Sequence, residues 1–225
     1  MLTLYSIVIL CNPCTKKEDT IKGYTVEPIT YNEARPWIMK KHYAHRMPSI
    51  SHSYGLFFKR NLVGVCTFGL PASPFLCKGV CGNDYKDIVI EFNRLCLNNN
   101  KKNEGSYFLS YAIKLLSKPK IIVSYADTKQ GHIGFIYQAT NWLYTGATKE
   151  RTDMLSLSGH SRHNEGVGEL RQHRSSKHRY IYFIGSKKQK KEMLKALNYP
   201  ILPYPKGESK RYDASAEFPT QIRMF

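Results

Sequence analysis

Acidic residues are scarce in this chain of 225 residues, which has 17 Asp and Glu against 34 Lys and Arg. The formal net charge at pH 7 is therefore +17. Such an imbalance argues against cationic partners and favours a polyanion, nucleic acid before a membrane surface. A soluble basic protein without a polyanionic partner is the simpler alternative, and charge alone leaves it open.

Long apolar runs are also missing. The apolar opening, residues 2–10, is too short to span a bilayer, and no basic residue precedes it as in a signal peptide. We therefore expect a cytoplasmic protein with no membrane partner. Hydrophobic residues still make up 42% of the chain, enough to build a buried core.

Cysteine sets with the spacing of a closed zinc site are absent from the sequence. A closed site needs four ligands at matched spacing, and neither the CxxC pair nor the CxxxC pair has a second half nearby. We interpret the thiols as reduced and mostly structural, with a zinc site of distant cysteines as the less favoured alternative. The six thiols are Cys11, Cys14, Cys66, Cys77, Cys81 and Cys96.

The first predicted helix carries a clear start signal. Thr30 is followed three residues later by Glu33, the capping-box pattern, after a short strand predicted at 24–28. Pro36 falls in the second turn and argues for a kink or a later start. The helix is expected to end near His42.

The remaining elements alternate in type. Residues 71–85 contain two prolines and two glycines, and we predict a loop there. The other predicted elements are a hairpin of strands 53–59 and 62–68, a strand at 87–97, a helix at 106–117, a strand at 121–125, a helix and strand ending near residue 146, a polar segment at 148–176, a strand at 178–184 and a basic helix at 187–197.

This order, an antiparallel meander followed by β-α-β units, resembles the GNAT acyltransferases. We therefore predict a mixed α/β (α+β) fold with a mostly antiparallel central sheet flanked by helices. The catalytic domain is placed at residues 20–185 and a basic helix with an extended tail at 186–225. Residues 1–19 form an N-terminal segment without an assigned structure.

Asp127 and Arg94 stand out in the predicted sheet. Asp127 follows a strand, and ligands of α/β sheets gather beyond the carboxyl ends of strands. It either caps the next helix or acts as a general base whose pKa is raised by Tyr125 on the same face. Strand alternation places Arg94 on one face with Ile90, Phe92 and Cys96, where a guanidinium needs a partner. That partner is either Asp127, in an internal salt bridge, or a substrate.

Tyr137 and the end of the first helix carry two further hypotheses. Tyr137 shares a helix face with Ile133, so core packing is its simplest role. The segment GFIYQATNWLYTG, residues 134–146, resembles the late helix and strand of GNAT enzymes, in which a tyrosine protonates the departing thiolate. His42 is either a cation on the helix dipole or, with Tyr43 and His45, a contact for substrate or metal.

Five motifs narrow the resemblance. HYAHRMP (42–48), EFNRLCL (91–97), SYAIKLL (110–116), SYAD (124–127) and IYQATNWLYTG (136–146) occur in the order and spacing of the Mom-type DNA-modification proteins of bacteriophages. The resemblance covers about half the chain. It implies a phage-encoded enzyme of the host cytoplasm that adds a carbamoylmethyl group to adenine N6 in double-stranded DNA, which protects that DNA from restriction. The implied catalytic positions are His42, Tyr43, Arg94, Ser110, Asp127 and Tyr137.

The resemblance also implies a CoA thioester such as acetyl-CoA, and it leaves a role for iron open. GNAT enzymes bind the pyrophosphate at a Gly-rich turn before the central helix, through free backbone amides. Here the turn reads NNKKNEGS, residues 99–106, with one glycine. The helix N-terminus and two lysines still suit a phosphate. The predicted cofactor-binding residues are Lys101, Lys102, Asn103, Gly105 and Ser106.

Three basic stretches, 158–163, 171–180 and 187–191, interleave cations with hydroxyls as phosphate-contacting segments do. For 187–191 alone, solvated lysines are the simpler interpretation. Adenine N6 is stacked in a duplex, so modification requires flipping the base, and Tyr43 or Tyr125 would stack on it. The oligomeric state is open, with a homodimer among the options. The predicted DNA-binding residues are Arg46, Arg162, Arg171, Arg174, Lys177, Arg179, Lys187 and Lys188.

Two rival functions share these features. An ordinary GNAT acyltransferase acting on an amine of a small molecule, RNA or protein has the same fold but leaves DNA unaltered. A non-catalytic nucleic-acid-binding protein also leaves DNA unaltered, and its binding weakens steeply with salt for all sequences.

Overall fold

The structure, a computed structural model, describes residues 23–154 and 171–208. Its strands are β1 (Tyr24–Pro28), β2 (His52–Phe58), β3 (Asn61–Gly69), β4 (Val89–Leu97), β5 (Lys120–Asp127), β6 (Leu143–Ala147), β7 (Arg151–Met154), β8 (Arg171–Arg174) and β9 (Lys177–Ile184). Its helices are α1 (Tyr31–Lys40), α2 (Pro74–Cys81), α3 (Glu104–Lys114), α4 (Phe135–Ala139) and α5 (Lys187–Lys195).

Seven strands form one sheet in the order β1-β2-β3-β4-β5-β9-β6, and β7 pairs with β8 in a separate ribbon. All neighbours in the large sheet are antiparallel except β4 and β5. The main core lies between one face of the sheet and helices α3 and α4. Helices α1, α2 and α5 bury smaller clusters on the other face. The predicted mixed α/β architecture, with a mostly antiparallel central sheet flanked by helices, is confirmed.

The start of α1 lies where its N-terminal sequence pattern predicted it. Thr30 and Glu33 form the predicted capping box. Pro36 is the sixth residue of the helix, which neither starts later nor stops there, although proline supplies no N–H for the Asn32 carbonyl. The helix ends at Lys40, two residues before His42.

The loop predicted at residues 71–85 was wrong. Residues 71–85 contain helix α2, which begins at Pro74, and a 3-10 helix at Asn83–Ile88. Proline at the first helical position costs no hydrogen bond, so it marked a helix start here rather than a break. The polar segment 148–176 contributes β7 and β8.

Strand β4 contains a β-bulge that changes which residues share a face. Arg94 lies opposite Thr67 and Phe92 opposite Phe68, so Asn93 is an extra residue without a partner on β3. The bulge inverts the alternation of faces along the strand. Phe92 before it and Leu97 after it therefore both face the main core, although they lie five residues apart. The predicted grouping of Arg94 with Ile90 and Phe92 was therefore wrong, because an inserted residue breaks the two-residue period.

The C-terminal part of the described chain packs on the sheet. Met193 of α5 is 1% exposed and lies in a core cluster with strands β5 and β9. The Leu202 N–H donates to the Tyr144 carbonyl, and the Tyr204 hydroxyl donates to the Trp142 carbonyl. Residues 186–208 are thus held against the predicted catalytic domain. Within the described residues, no helix is long and apolar enough to cross a bilayer.

Candidate active site

Strands β4 and β5 separate partway along their length. They pair at only three positions, from Val89 with Ile121 to Glu91 with Val123. Beyond this point β5 stays paired with β9 and β4 stays paired with β3. The split opens a cleft of about 400 Å³, a size typical of ligand sites.

The cleft is cationic. Arg94 lines its β4 wall, and Lys101 and Lys102 line the end next to α3. Among the described residues that line it, none is an aspartate or a glutamate. Its electrostatic field therefore favours an anionic ligand. The rest of the wall is apolar, aromatic or neutral polar.

The turn before α3 lies at the cleft as the sequence predicted. Lys101, Lys102, Asn103, Gly105 and Ser106 all line it. Asn103 is the N-cap in a left-handed conformation, and its side chain caps no backbone amide. Because the first N–H groups of a helix lack intrahelical acceptors, this end of α3 offers donors and a positive dipole to a phosphate.

A buried carboxylate fixes this turn. Glu104 accepts a hydrogen bond from the Lys101 N–H at 2.9 Å and another from the Tyr24 hydroxyl at 2.9 Å. A Cβ added to Gly105 would lie 3.3 Å from Ile136, so a larger residue there would crowd the cleft. Sequence reasoning missed Glu104, whose partner Tyr24 lies 80 residues away.

Arg94 is held by backbone carbonyls. Its Nε and Nη2 donate to the Arg46 carbonyl at 3.3 and 3.0 Å, and its Nη1 donates to the Asn93 carbonyl at 2.7 Å. Among the described residues it has no carboxylate partner, so the predicted salt bridge to Asp127 was wrong. Two of the five guanidinium N–H donors remain for a ligand.

His42 is neutral. It is 6% exposed, and burial together with the charge of Arg94 lowers its pKa to about 3. Its Nδ1 accepts the Ala44 N–H at 3.0 Å, so Nε2 carries the proton. The interpretation of His42 as a cation on the helix dipole was therefore wrong, and it lines the cleft as a hydrogen-bond donor.

Aromatic rings extend the wall beside His42. Tyr43 stacks on His42 with ring centroids 4.3 Å apart, and His132 meets the edge of Tyr43 at 6.0 Å. Burial raises the pKa of Tyr43, which stays protonated at neutral pH. Tyr125 also lines the cleft. His132 was missed because one histidine in a loop between glycines carries no sequence signal.

Tyr137 lies at the inner end of the cleft. Its ring packs on Trp142 and Tyr180, with centroids 5.1 and 4.9 Å away, and its hydroxyl lies 2.7 Å from Ser124 Oγ. Burial raises the pKa of Tyr137 well above its ordinary value. Gly134 makes this packing feasible, because a Cβ there would lie 2.4 Å from the Tyr180 ring.

Asp127 does not line the cleft. Its Oδ1 accepts from the Lys129 N–H at 3.0 Å and the Ser175 hydroxyl at 2.6 Å, and its Oδ2 pairs with the Lys177 ammonium. Burial raises the pKa of Asp127, but these bonds and the Lys177 charge outweigh it and leave the pKa below the ordinary value. The structure supports the cap interpretation, for the 3-10 turn Thr128–Gln130. The predicted rise in pKa was wrong.

Asp127→Asn is expected to destabilise the protein by about 1.5–3 kcal/mol at pH 7, the range for hydrogen bonds to charged groups. A carboxyl whose folded pKa is depressed stabilises above its unfolded pKa, about 3.9, and the effect is lost as pH falls through the folded pKa. Urea unfolding of both proteins at pH 7 and at pH 3 should show the difference shrink at pH 3. An equal difference at both pH values would contradict this role.

The remaining predicted residues are more scattered. Ser110 lies one turn beyond Ser106 on α3 and does not line the cleft. Lys177 is engaged by Asp127, and the Arg179 guanidinium bonds Thr145 and stacks on Tyr199 at 3.4 Å. Both side chains thus have protein partners, and their predicted phosphate contacts stay predictions.

Other predicted DNA contacts stay predictions. Arg46, Lys187 and Lys188 are exposed. Arg174 is half-buried in β8, the Arg171 side chain is not among the described ones, and Arg162 lies outside the described residues.

Metal ligands do not converge in the described part of the chain. No group of three or more His, Cys, Asp or Glu side chains there could hold an ion. His42 also uses Nδ1 for a backbone amide. The described residues therefore do not fit an iron site. Cys66, Cys81 and Cys96 are buried free thiols and Cys77 is half-buried.

Known proteins resemble the chain at two levels. The acetyltransferase yncA of Salmonella typhimurium, solved with its cofactor acetyl-CoA, is 11% identical with a TM-score of 0.44, over 73% of this chain and 95% of that chain. Ribosomal-protein-S5-alanine acetyltransferase of Vibrio fischeri is 10% identical with a TM-score of 0.46, over the same shares.

The chain also has a relative with clear sequence similarity. The methylcarbamoylase mom of Escherichia phage Mu is 29% identical over 227 residues, which cover 88% of this chain and 92% of that protein. The model of the Mom protein family matches residues 23–206, from the first strand to the segment that packs beyond α5. The chain belongs to the Mom protein family.

Proposed function

We propose that this protein modifies adenine N6 in double-stranded DNA to N6-carbamoylmethyladenine, with a CoA thioester bound in the cleft. The observation that carries the proposal is the split between β4 and β5, which joins the α3 N-terminus, Arg94 and Tyr137 in one cationic cleft. The similarity to a methylcarbamoylase of a phage supports DNA modification as the purpose.

The residues of the α3 turn suit the diphosphate of a CoA thioester. Lys101 and Lys102 supply charge, and the amides of Gly105 and Ser106 supply donors at a helix N-terminus. When bound, the thioester would supply carbon atoms for the added group and a thiolate leaving group, and a separate nitrogen donor would supply the amide nitrogen of the carbamoylmethyl group. The apolar residues Leu95, Leu97 and Ile136 line the same cleft and suit the uncharged arm of the cofactor.

Three residues next to the split stabilise charge, donate a proton and orient the acceptor in the proposed reaction. Arg94 directs its two unused N–H donors at negative charge that develops during transfer. Tyr137 holds a proton on its hydroxyl at neutral pH, because burial raises its pKa, and this is the proton that it would give to the leaving thiolate. Neutral His42 donates from Nε2 and orients the acceptor.

The acceptor is a purine that has left the duplex stack. Adenine N6 is paired and stacked in DNA, and extrusion costs roughly a few kcal/mol. Tyr43 and Tyr125 line the cleft and provide aromatic faces for the extruded base. The overall charge of +17 provides the attraction to phosphates that brings duplex DNA to the cleft.

Mass spectrometry of nucleosides tests the proposal. Plasmid recovered from cells that express the protein is digested and compared with plasmid from cells that express Arg94→Ala. We expect a heavier deoxyadenosine, with the mass of a carbamoylmethyl addition, only with the wild-type protein. Unmodified deoxyadenosine would favour an ordinary acyltransferase or a non-catalytic nucleic-acid-binding protein, and a different added mass would reject the carbamoylmethyl group alone.

A further inference from the structure

A second hydroxyl lies behind Tyr137, outside the cleft. Ser124 is 1% exposed and is the first residue of β5 after its pairing with β4 ends. Its Oγ lies 2.7 Å from the Phe92 carbonyl oxygen and 2.7 Å from the Tyr137 hydroxyl oxygen. Among the described residues, Ser124 is the one hydrogen-bond partner of the Tyr137 hydroxyl.

Both contacts of the Ser124 hydroxyl are donor contacts. Its single proton is shared between the Phe92 carbonyl oxygen and the Tyr137 hydroxyl oxygen, each 2.7 Å away. Because Tyr137 accepts from Ser124, the Tyr137 proton is not used in that bond and is left for a ligand.

We infer that Ser124 is a positioning residue that fixes the Tyr137 oxygen at rest and stabilises it after the Tyr137 proton has been given to the leaving sulfur. The inference rests on the proposed function. In the transfer the O–H bond of Tyr137 breaks, an S–H bond forms, and the negative charge moves from sulfur to the phenolic oxygen. Ser124 keeps its own proton and donates it in a hydrogen bond to that oxygen.

The position of Ser124 in the fold explains why a hydroxyl is needed there. The Phe92 carbonyl lies next to the last paired residues of β4, where the backbone ladder to β5 stops. The Ser124 hydroxyl satisfies this carbonyl in place of a backbone N–H, as buried carbonyls require. A phenolate at Tyr137 would lie among the rings of Phe92, Trp142 and Tyr180, and Ser124 is the described residue that forms a hydrogen bond with its oxygen.

A double-mutant cycle tests the inference. The variants are Ser124→Ala, Tyr137→Phe, their combination, and Ser124→Thr as the control that keeps the hydroxyl. The readout is modified deoxyadenosine per expressed protein, over time after induction. We expect Ser124→Ala to lower it about 10- to 100-fold, Ser124→Thr to retain most of it, and the double variant to match Tyr137→Phe alone.

A second readout needs no cofactor. Ser124→Ala leaves two buried groups unpaired and should lower the thermal midpoint of the free protein by about 3–6 °C, whereas Tyr137→Phe keeps the bond to Phe92 and should lower it less. Equal shifts, or losses of modification that multiply in the double variant, would overturn the inference while the wild type still modifies DNA. Absence of modified adenosine with the wild type would reject the proposed function and this inference together.

Discussion

Replacing Arg94 by alanine is expected to lower adenine modification about 100- to 1,000-fold, the usual cost of removing a preorganised donor from an active site. Two guanidinium N–H groups in the cleft are lost, and no other described cation lies beside the split itself. Affinity for duplex DNA should stay nearly unchanged, because the phosphates attract many exposed cations across the surface. Nucleoside mass spectrometry measures the first effect, and gel-shift titration at fixed salt measures the second.

The matched control is Arg94→Lys, which keeps the charge but not the planar fork that binds two carbonyls at once. Its modification should fall between alanine and wild type. Arg94 also anchors the loop after α1 through the Arg46 carbonyl, so thermal unfolding must show that both variants are folded. Wild-type modification by Arg94→Ala, or equal losses of binding and modification, would remove Arg94 from the reaction.

Features encoded in contiguous residues were predictable. Thr30 and Glu33 form their capping box, because both partners lie within one turn of a helix. The five residues of the α3 turn line the cleft together, because a loop that leads into a helix N-terminus exposes its amides whatever the rest of the fold does. The element order likewise gave the mostly antiparallel sheet, since each strand and helix has its own local periodicity.

Features that depend on strand register were not predictable. The bulge at Asn93 leaves no mark in the alternation of β4, because Phe92, Arg94 and Cys96 fit either face about equally well. Its cause is tertiary: the Asn93 side chain accepts from Thr67 at 2.6 Å and donates to the Ser49 carbonyl at 2.8 Å. Both partners are distant in the sequence, and the bulge presents Arg94 to the loop after α1.

The hydrogen-bond partner of Asp127 also depends on strand register and was not predictable from the sequence. Its cross-strand partner is Lys177, 50 residues away, and the pairing follows from the register of β5 with β9. Opposite charges at facing positions stabilise antiparallel strands, so both residues are accounted for without any ligand. The proposed cleft thus contains a guanidinium and a phenol but no carboxylate. Any base that removes the N6 proton must be found among other groups.

Tyr137→Phe is expected to lower modification about 100- to 10,000-fold, the range for loss of a positioned acid or base. Burial raises the pKa of Tyr137, so its hydroxyl keeps its proton at neutral pH and is available as the acid of the proposed reaction. The ring itself stays packed on Trp142 and Tyr180, so the fold should change little.

The measurement for Tyr137→Phe is the rate at which modified deoxyadenosine accumulates per expressed protein, with thermal unfolding as the check on folding. Trp142→Phe is the matched control, because it alters the packing around Tyr137 but leaves the hydroxyl and its bond to Ser124 in place. Its modification should fall far less than that of Tyr137→Phe. If the two variants lose modification equally, the ring and not the proton is what the cleft requires, and the hydroxyl has no part in the transfer.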